Sequence, residues 1–351
     1  MSPRERVVTA MRREEPDRVP KTAGFTPAVQ EKFEAATGHT SAADYFGFEN
    51  RGIGFQAPPE LPDFSPYYPE GWPEGTVFSE YGTGRSPGDF YHFTRRIYPL
   101  ERVDSLQVLE EFPWPDYRPA WRHEHLEEQC ATLRERGYFV SGGVGHIWEN
   151  AWQMTRMERL MMDMTLRPQF AAYIFDRIAD DRAFQARRMA EAGADCIHCG
   201  DDIGMQDRLM MSPAMWREWL KPRWRRVIGA AKDANPEVLA FYHSDGDVRP
   251  VIEDLIEIGF DILNPVQPEC MDPAQIKREY GDRLAFWGTI GTQTTMPFGT
   301  PEQVKATVKQ VIDTVGAGGG LLVAPTHVLE PDVPWENILA LFEAVDQYGR
   351  Y

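Results

Sequence analysis

A chain of 351 residues with 54 acidic and 37 basic side chains carries a formal charge of −17. Its Lys and Arg are not clustered as nucleic acid or an anionic membrane surface requires, so a small molecule or another protein is the expected partner. The charged N-terminal stretch and the lack of any long apolar run argue against a secretory leader and a membrane span, and place the protein in the cytoplasm.

Ser2 is expected to cap a helix over 3–13, with Pro3 in its first turn and Glu5 placed for the helix dipole. Residues 19–25 read as a first strand, and Thr26-Pro27 opens the next helix. Residues 50–116 form an insertion rich in Pro, Gly and aromatics, with strand-like pieces at 75–81 and 89–98 and a turn signal at 82–88. From Trp121 the pattern is regular. Helices are predicted over 122–136, 147–164, 167–192, 213–234, 247–258, 272–280, 301–315 and 335–348, and strands over 138–144, 195–200, 238–243, 261–266, 284–290 and 320–324. Strands alternating with helices call for a parallel sheet. No Gly-x-Gly-x-x-Gly follows any strand, so a closed (β/α)8 barrel is preferred to an open doubly wound sheet, with its remaining strand expected inside the insertion. Residues 1–351 read as one barrel domain. Four cysteines read as reduced thiols, and strand alternation sends Cys196 and Cys199 to opposite faces.

In a barrel the site is lined by the loops that follow the strands, so the residues ending each strand are the candidates. They are His146 and Glu149, His198 to Asp202, His243 with Asp245, Asn264 with Gln267, Gly288 with Thr289, and His327. His243, Asp245 and His327 together supply two imidazoles and a carboxylate, enough to hold a divalent ion with positions open for substrate or water. The alternative is His243 as a general base oriented by Asp245 or Asp201. Asp201, Asp202, His198 and Glu149 are the acid–base candidates. Asn264, Gln267, Trp148 and Arg85 are candidates for substrate contact. Trp148 and Trp152 are read either as the floor of a pocket for a flat ligand or as core. His198 is read either as a functional group or as a hydrogen-bonded rim residue, and His92, His123 and His125 as surface. The aromatics of 64–98 point to a pocket lid or a homodimer interface.

Several motifs in order carry a resemblance. They are Arg4-Glu5-Arg6, Asp17-Arg18-Val19-Pro20, Ser212-Pro213 with Lys221-Pro222, Phe241-Tyr242-His243-Ser244, Ile262-Leu263-Asn264-Pro265-Val266-Gln267, Gly299-Thr300-Pro301-Glu302 and Pro334-Trp335-Glu336-Asn337-Ile338. On these the chain resembles the uroporphyrinogen decarboxylase superfamily over nearly its whole length, which implies a (β/α)8 barrel. True decarboxylases of that superfamily hold their porphyrinogen with an arginine-rich motif of the form Arg-Gln-Ala-Gly-Arg, where this chain has Pro20-Lys21-Thr22-Ala23-Gly24-Phe25. The corrinoid-dependent methyltransferase branch binds zinc through His-x-Cys and a distant Cys, and the matching positions here are His243-x-Asp245 and His327. Replacing both thiolates with other ligands implies a harder centre, suited to an oxygen-bearing substrate. The resemblance therefore implies a metal-dependent methyltransferase-like enzyme whose ion is zinc, or else iron, manganese or nickel, exchanging a methyl group with a corrinoid protein. The competing readings are a corrinoid-free decarboxylase or lyase of a small acid and a non-catalytic ligand-binding barrel.

Overall fold

The computed structural model describes residues 1–86 and 95–351. In chain order the strands are β1 (Asn50–Ile53), β2 (Val77–Phe78), β3 (Gly84–Ser86), β4 (Arg95–Ile97), β5 (Phe139–Gly145), β6 (Cys196–Gly200), β7 (Leu239–His243), β8 (Ile262–Asn264), β9 (Ala285–Ile290) and β10 (Leu321–Pro325). β1 and β5 to β10 form a curled sheet in sequence order, every neighbouring pair parallel. The fold is a (β/α)8 barrel. Its eighth position is held by the segment around Lys21, which bridges Val323 in parallel while Phe25 bridges Leu329. That segment, expected as a regular strand, pairs irregularly: Pro20 has no N–H, and only its carbonyl joins the ladder, accepting from Val323 at 2.9 Å. The strand expected within the insertion is β1, at the insertion's first residues.

Where β1 meets the eighth position, a buried carboxylate bridges the seam. Glu49, 1% exposed, accepts the Lys21 N–H at 3.0 Å and pairs with Arg18 at 2.7 Å and Arg6 at 3.4 Å. At the N-terminal mouth, the helix Pro3–Met11 is capped reciprocally by Ser2 and Glu5. It buries Val7, Ala10 and Met11 against Phe139, Cys196, Leu239 and Leu322 inside the barrel. That end is plugged, so the site belongs to the other. Cys196 lies in this inner cluster and Cys199 outside the sheet, as alternation requires.

Two predicted helices are each broken in two. The 147–164 helix divides into Trp148–Thr155 and Met157–Leu166, because Arg156 takes a φ of 75°. The 213–234 helix divides into Pro213–Trp219 and Lys221–Ala234, since Pro222 cannot donate a helical hydrogen bond and restarts the helix instead. Within 122–136 only Leu126–Glu135 is α-helical. In the insertion, β2, β3 and β4 make a small antiparallel sheet, so a strand occupies part of the predicted turn at 82–88. His92 and the 89–94 part of the predicted strand lie outside the described residues. Phe64, Tyr68 and Phe112 are buried with Phe78 against them, so much of the aromatic content is spent on the insertion's own packing.

Candidate functional site

Along β7, Leu239 and Phe241 face the barrel interior, and His243, two residues on, continues the row up to the open mouth. Its Nδ1 lies 2.5 Å from Oδ1 of Asn264 at the end of β8, and the Asn264 amide nitrogen donates to the Trp287 carbonyl at 2.6 Å. With the amide turned this way, Asn264 offers His243 only an acceptor. Nδ1 therefore carries the proton, and the lone pair sits on Nε2, which faces Oδ1 of Asp202 at 3.4 Å.

The loops after β6 and β7 meet backbone to backbone. Gly246, at a φ of 79°, lies against Gly204, and a Cβ on either would collide with the other loop. This approach lets Asp202 accept the Asp245 N–H at 2.9 Å. Asp202, His243 and Asp245 thereby bring three ligand atoms within 4.8 Å of one another. One carboxylate oxygen of Asp245 is buried with no hydrogen-bond partner among the described residues. Burial pushes the Asp245 carboxyl up, the nearby Asp202 adds to this, and His243 and His327 pull the other way. An orphaned carboxylate oxygen beside a second carboxylate and an imidazole lone pair is a donor set that a divalent cation fits. His327 acts on Asp245 through its charge but is not one of the three grouped atoms; of the trio His243, Asp245, His327 expected from sequence, the grouping holds His243 and Asp245 and adds Asp202.

Beside this trio, Asp201 is fully buried and accepts N–H groups from Ile147, Trp148, Glu149 and the Trp224 indole at 2.8, 2.7, 3.4 and 2.9 Å. It caps the helix Trp148–Thr155 from beneath the mouth, where it touches no solvent. Burial pushes its carboxyl up to about 7, against the pull of His146. The helix it anchors presents Glu149, whose carboxylate pairs with Nδ1 of His146 at 2.8 Å and accepts the Asp202 N–H at 3.4 Å. His146 Nδ1 also lies 2.7 Å from the Gly200 carbonyl, so both neighbours of that nitrogen are acceptors and Nε2 is the titrating one. Burial opposes the charge on His146, but Glu149 outweighs it and lifts the imidazole to about 9. His146, Glu149 and Asp201 form a second cluster with metal-ligand spacing. Its Asp201 oxygens are taken up by backbone and indole N–H groups and its Glu149 pairs with the His146 Nδ1, so it suits proton handling better than a cation.

Other candidates fall elsewhere. Trp148 is fully buried and stacks on Phe175 outside the sheet, so of its two readings core is the one realised. His198 lies one layer below His243, stacked on Phe241 at 4.1 Å with Trp287 edge-on, and burial pushes it down to about 4. Gln267 is buried and accepts the Gly246 N–H at 3.2 Å, bracing the β7 loop. Arg85 is exposed on β3 and reaches Gln153 at 3.4 Å. Sequence reasoning named His146 among the strand-end residues but not among the acid–base candidates, and did not consider Arg96, which lies over Trp152. Arg96 had no sequence signal, because only the antiparallel pairing of β3 and β4 brings it back over the barrel.

Residues 91–348 match the model of the Uroporphyrinogen decarboxylase (URO-D) family, and the chain belongs to that family. Among its relatives, the "Methylcobamide:CoM methyltransferase MtaA" of Methanosarcina barkeri is 32% identical over 163 residues, 46% of this chain and 44% of that protein. The "Uroporphyrinogen decarboxylase" of Chlorobium phaeovibrioides is 26% identical over 183 residues, 51% of this chain and 50% of that protein. These alignments span about half of each relative or less. A solved "methyltransferase from Methanosarcina mazei" superposes with a TM-score of 0.67 at 20% identity, covering 99% of both chains, and so shares the fold. Among the described residues no helix is long and apolar enough to cross a membrane.

Proposed function

We propose that this chain is a metal-dependent methyltransferase acting on a small oxygen-bearing substrate, with a corrinoid protein as methyl carrier. The orphaned, buried carboxylate oxygen of Asp245 beside the His243 lone pair carries the reading. The MtaA relative supports transfer chemistry. Asp202, His243 and Asp245 would hold the ion, with zinc the first choice and iron, manganese or nickel alternatives. Bound there, it would supply Lewis acidity towards a substrate oxygen. The remaining work belongs to the chain's own groups. Asn264 keeps the His243 proton on Nδ1, and Asp201 fixes the helix that carries Glu149. His146, held charged at neutral pH by Glu149, offers its Nε2 proton to the oxygen that keeps the electron pair when a methyl group leaves it.

Elemental analysis of protein purified without chelator should give close to one divalent ion per chain, and His243→Ala should abolish it. The metallated protein should alter the cobalamin spectrum when methylcobalamin is mixed with a small oxygen or thiol acceptor. Full turnover by metal-free protein would overturn the proposal. True uroporphyrinogen decarboxylation, as distinct from the small-acid decarboxylase alternative, is disfavoured by the lack of any arginine within Pro20–Phe25; coproporphyrinogen formed from uroporphyrinogen at an enzymatic rate would overturn that.

A further inference from the structure

The small sheet of the insertion sets two cations against the rim of the site. Arg85 on β3 lies directly opposite Arg96 on β4. Like charges facing each other across a ladder are unfavourable unless something anionic accompanies them. Both reach the helix Trp148–Thr155: Arg85 donates to Gln153 at 3.4 Å, and the Arg96 guanidinium sits 5.2 Å from the centroid of the Trp152 ring. The Thr83 hydroxyl fastens the sheet to the same helix by donating to the Gln153 carbonyl at 2.8 Å. Glu149 is three residues before Trp152 and four before Gln153, so all three share one helix face. The arginines therefore stand on the face that also carries the partner of His146 and Asp202.

The Nε of Arg96 is buried and has no hydrogen-bond partner among the described residues. Neither guanidinium has an ion-pair partner among the described residues. Burial, and then the neighbouring Arg85, weaken the hold of Arg96 on its charge, and the nearby Glu149, itself paired with His146, offsets this only in part. A guanidinium presents a planar fork of donors that matches a carboxylate, and such pairs are the stronger kind of hydrogen bond. Trp152 beneath it offers a flat apolar surface for the body of a ligand.

We propose that Arg85 and Arg96 bind a carboxylate on the substrate, which lies along Trp152 with its reactive oxygen towards Asp202, His243 and Asp245. This rests on the reading of that trio as the reacting end of the site and adds the substrate's class: a small, flat acid carrying a second oxygen function.

The test uses the full-length protein, with 4-methoxybenzoate, its methyl ester and 4-methoxybenzyl alcohol as probes, titrated calorimetrically. The acid should bind at least about tenfold more tightly than either neutral probe. Arg96→Gln should abolish that preference while leaving the neutral probes unchanged, Arg85→Gln should reduce it, and Arg96→Lys should keep part of it. Acid and ester binding alike, acid binding undiminished in Arg96→Gln, or no acid binding at all would overturn the proposal. Metal content is measured on each protein in parallel. Wild-type protein that prefers the acid but holds no metal would sink the metal reading alone, whereas protein with metal and no acid preference would sink this inference alone.

Discussion

His243 donates its Nδ1 proton to Asn264 over 2.5 Å, and this one hydrogen bond decides that the imidazole turns its lone pair towards Asp202. Removing the partner leaves the ring free to rotate and to change tautomer. Asn264→Ala should therefore lower zinc affinity by roughly 10- to 100-fold, the range for partners that orient a liganding histidine. Competitive chelator titration measures it, and parent-like affinity would reduce Asn264 to a packing residue.

The three grouped ligands predict an order among variants. Asp245→Asn and Asp202→Asn each replace an anionic donor with a neutral one, and each should cost about tenfold or more in metal affinity. His327→Ala should cost less, because His327 stands outside the group. A loss in His327→Ala equal to that in Asp245→Asn would restore the trio expected from sequence. Asp245→Cys should keep the ion and shift preference towards zinc, a thiolate being the softer donor.

His198 titrates about 4 in the fold and near 6.5 when unfolded. Its folded value is depressed, so the unfolded chain takes up the proton first as pH falls. Stability tied to His198 is intact above about 6.5 and declines as pH drops towards 4. Between pH 7 and 5 the loss should be about 2 kcal/mol. His198→Phe, which keeps the stack on Phe241, should flatten that part of the profile. Urea denaturation of both proteins at the two pH values is the measurement, and parallel profiles would show that His198 is protonated as easily in the fold as out of it.

At the barrel seam, Glu49 satisfies Arg6, Arg18 and the Lys21 N–H together. Glu49→Ala leaves the buried Lys21 N–H and Arg18 without this partner, while Arg6 keeps Asp17, and opens the contact between β1 and the eighth position. A loss on the order of 3 kcal/mol is expected, typical of breaking a buried ion pair from one side. An unchanged urea midpoint would mean that the seam is held by packing alone.

Much of the architecture follows from local pattern. Strands alternating with helices imply a parallel sheet, and period-two alternation along Leu239, Phe241 and His243 aims His243 into the mouth whatever the surroundings. Cys196 and Cys199 separate to opposite faces for the same reason. What tertiary structure alone decided lies in loops and breaks. Asp202 joins His243 because Gly204 and Gly246 allow two loops to touch, an approach between segments some forty positions apart that no periodicity encodes. Asp201, its immediate neighbour, goes the other way and is sealed under a helix, a difference invisible in an Asp-Asp pair. Trp148 and Trp152 look alike in sequence and are one helical turn apart, yet one stacks on Phe175 and the other lies under Arg96, a difference set by which element each meets. Side-chain direction within an element is set by backbone geometry and can be read from spacing. Which elements meet is set by close contacts between distant parts of the chain, and these exist only once the barrel has closed.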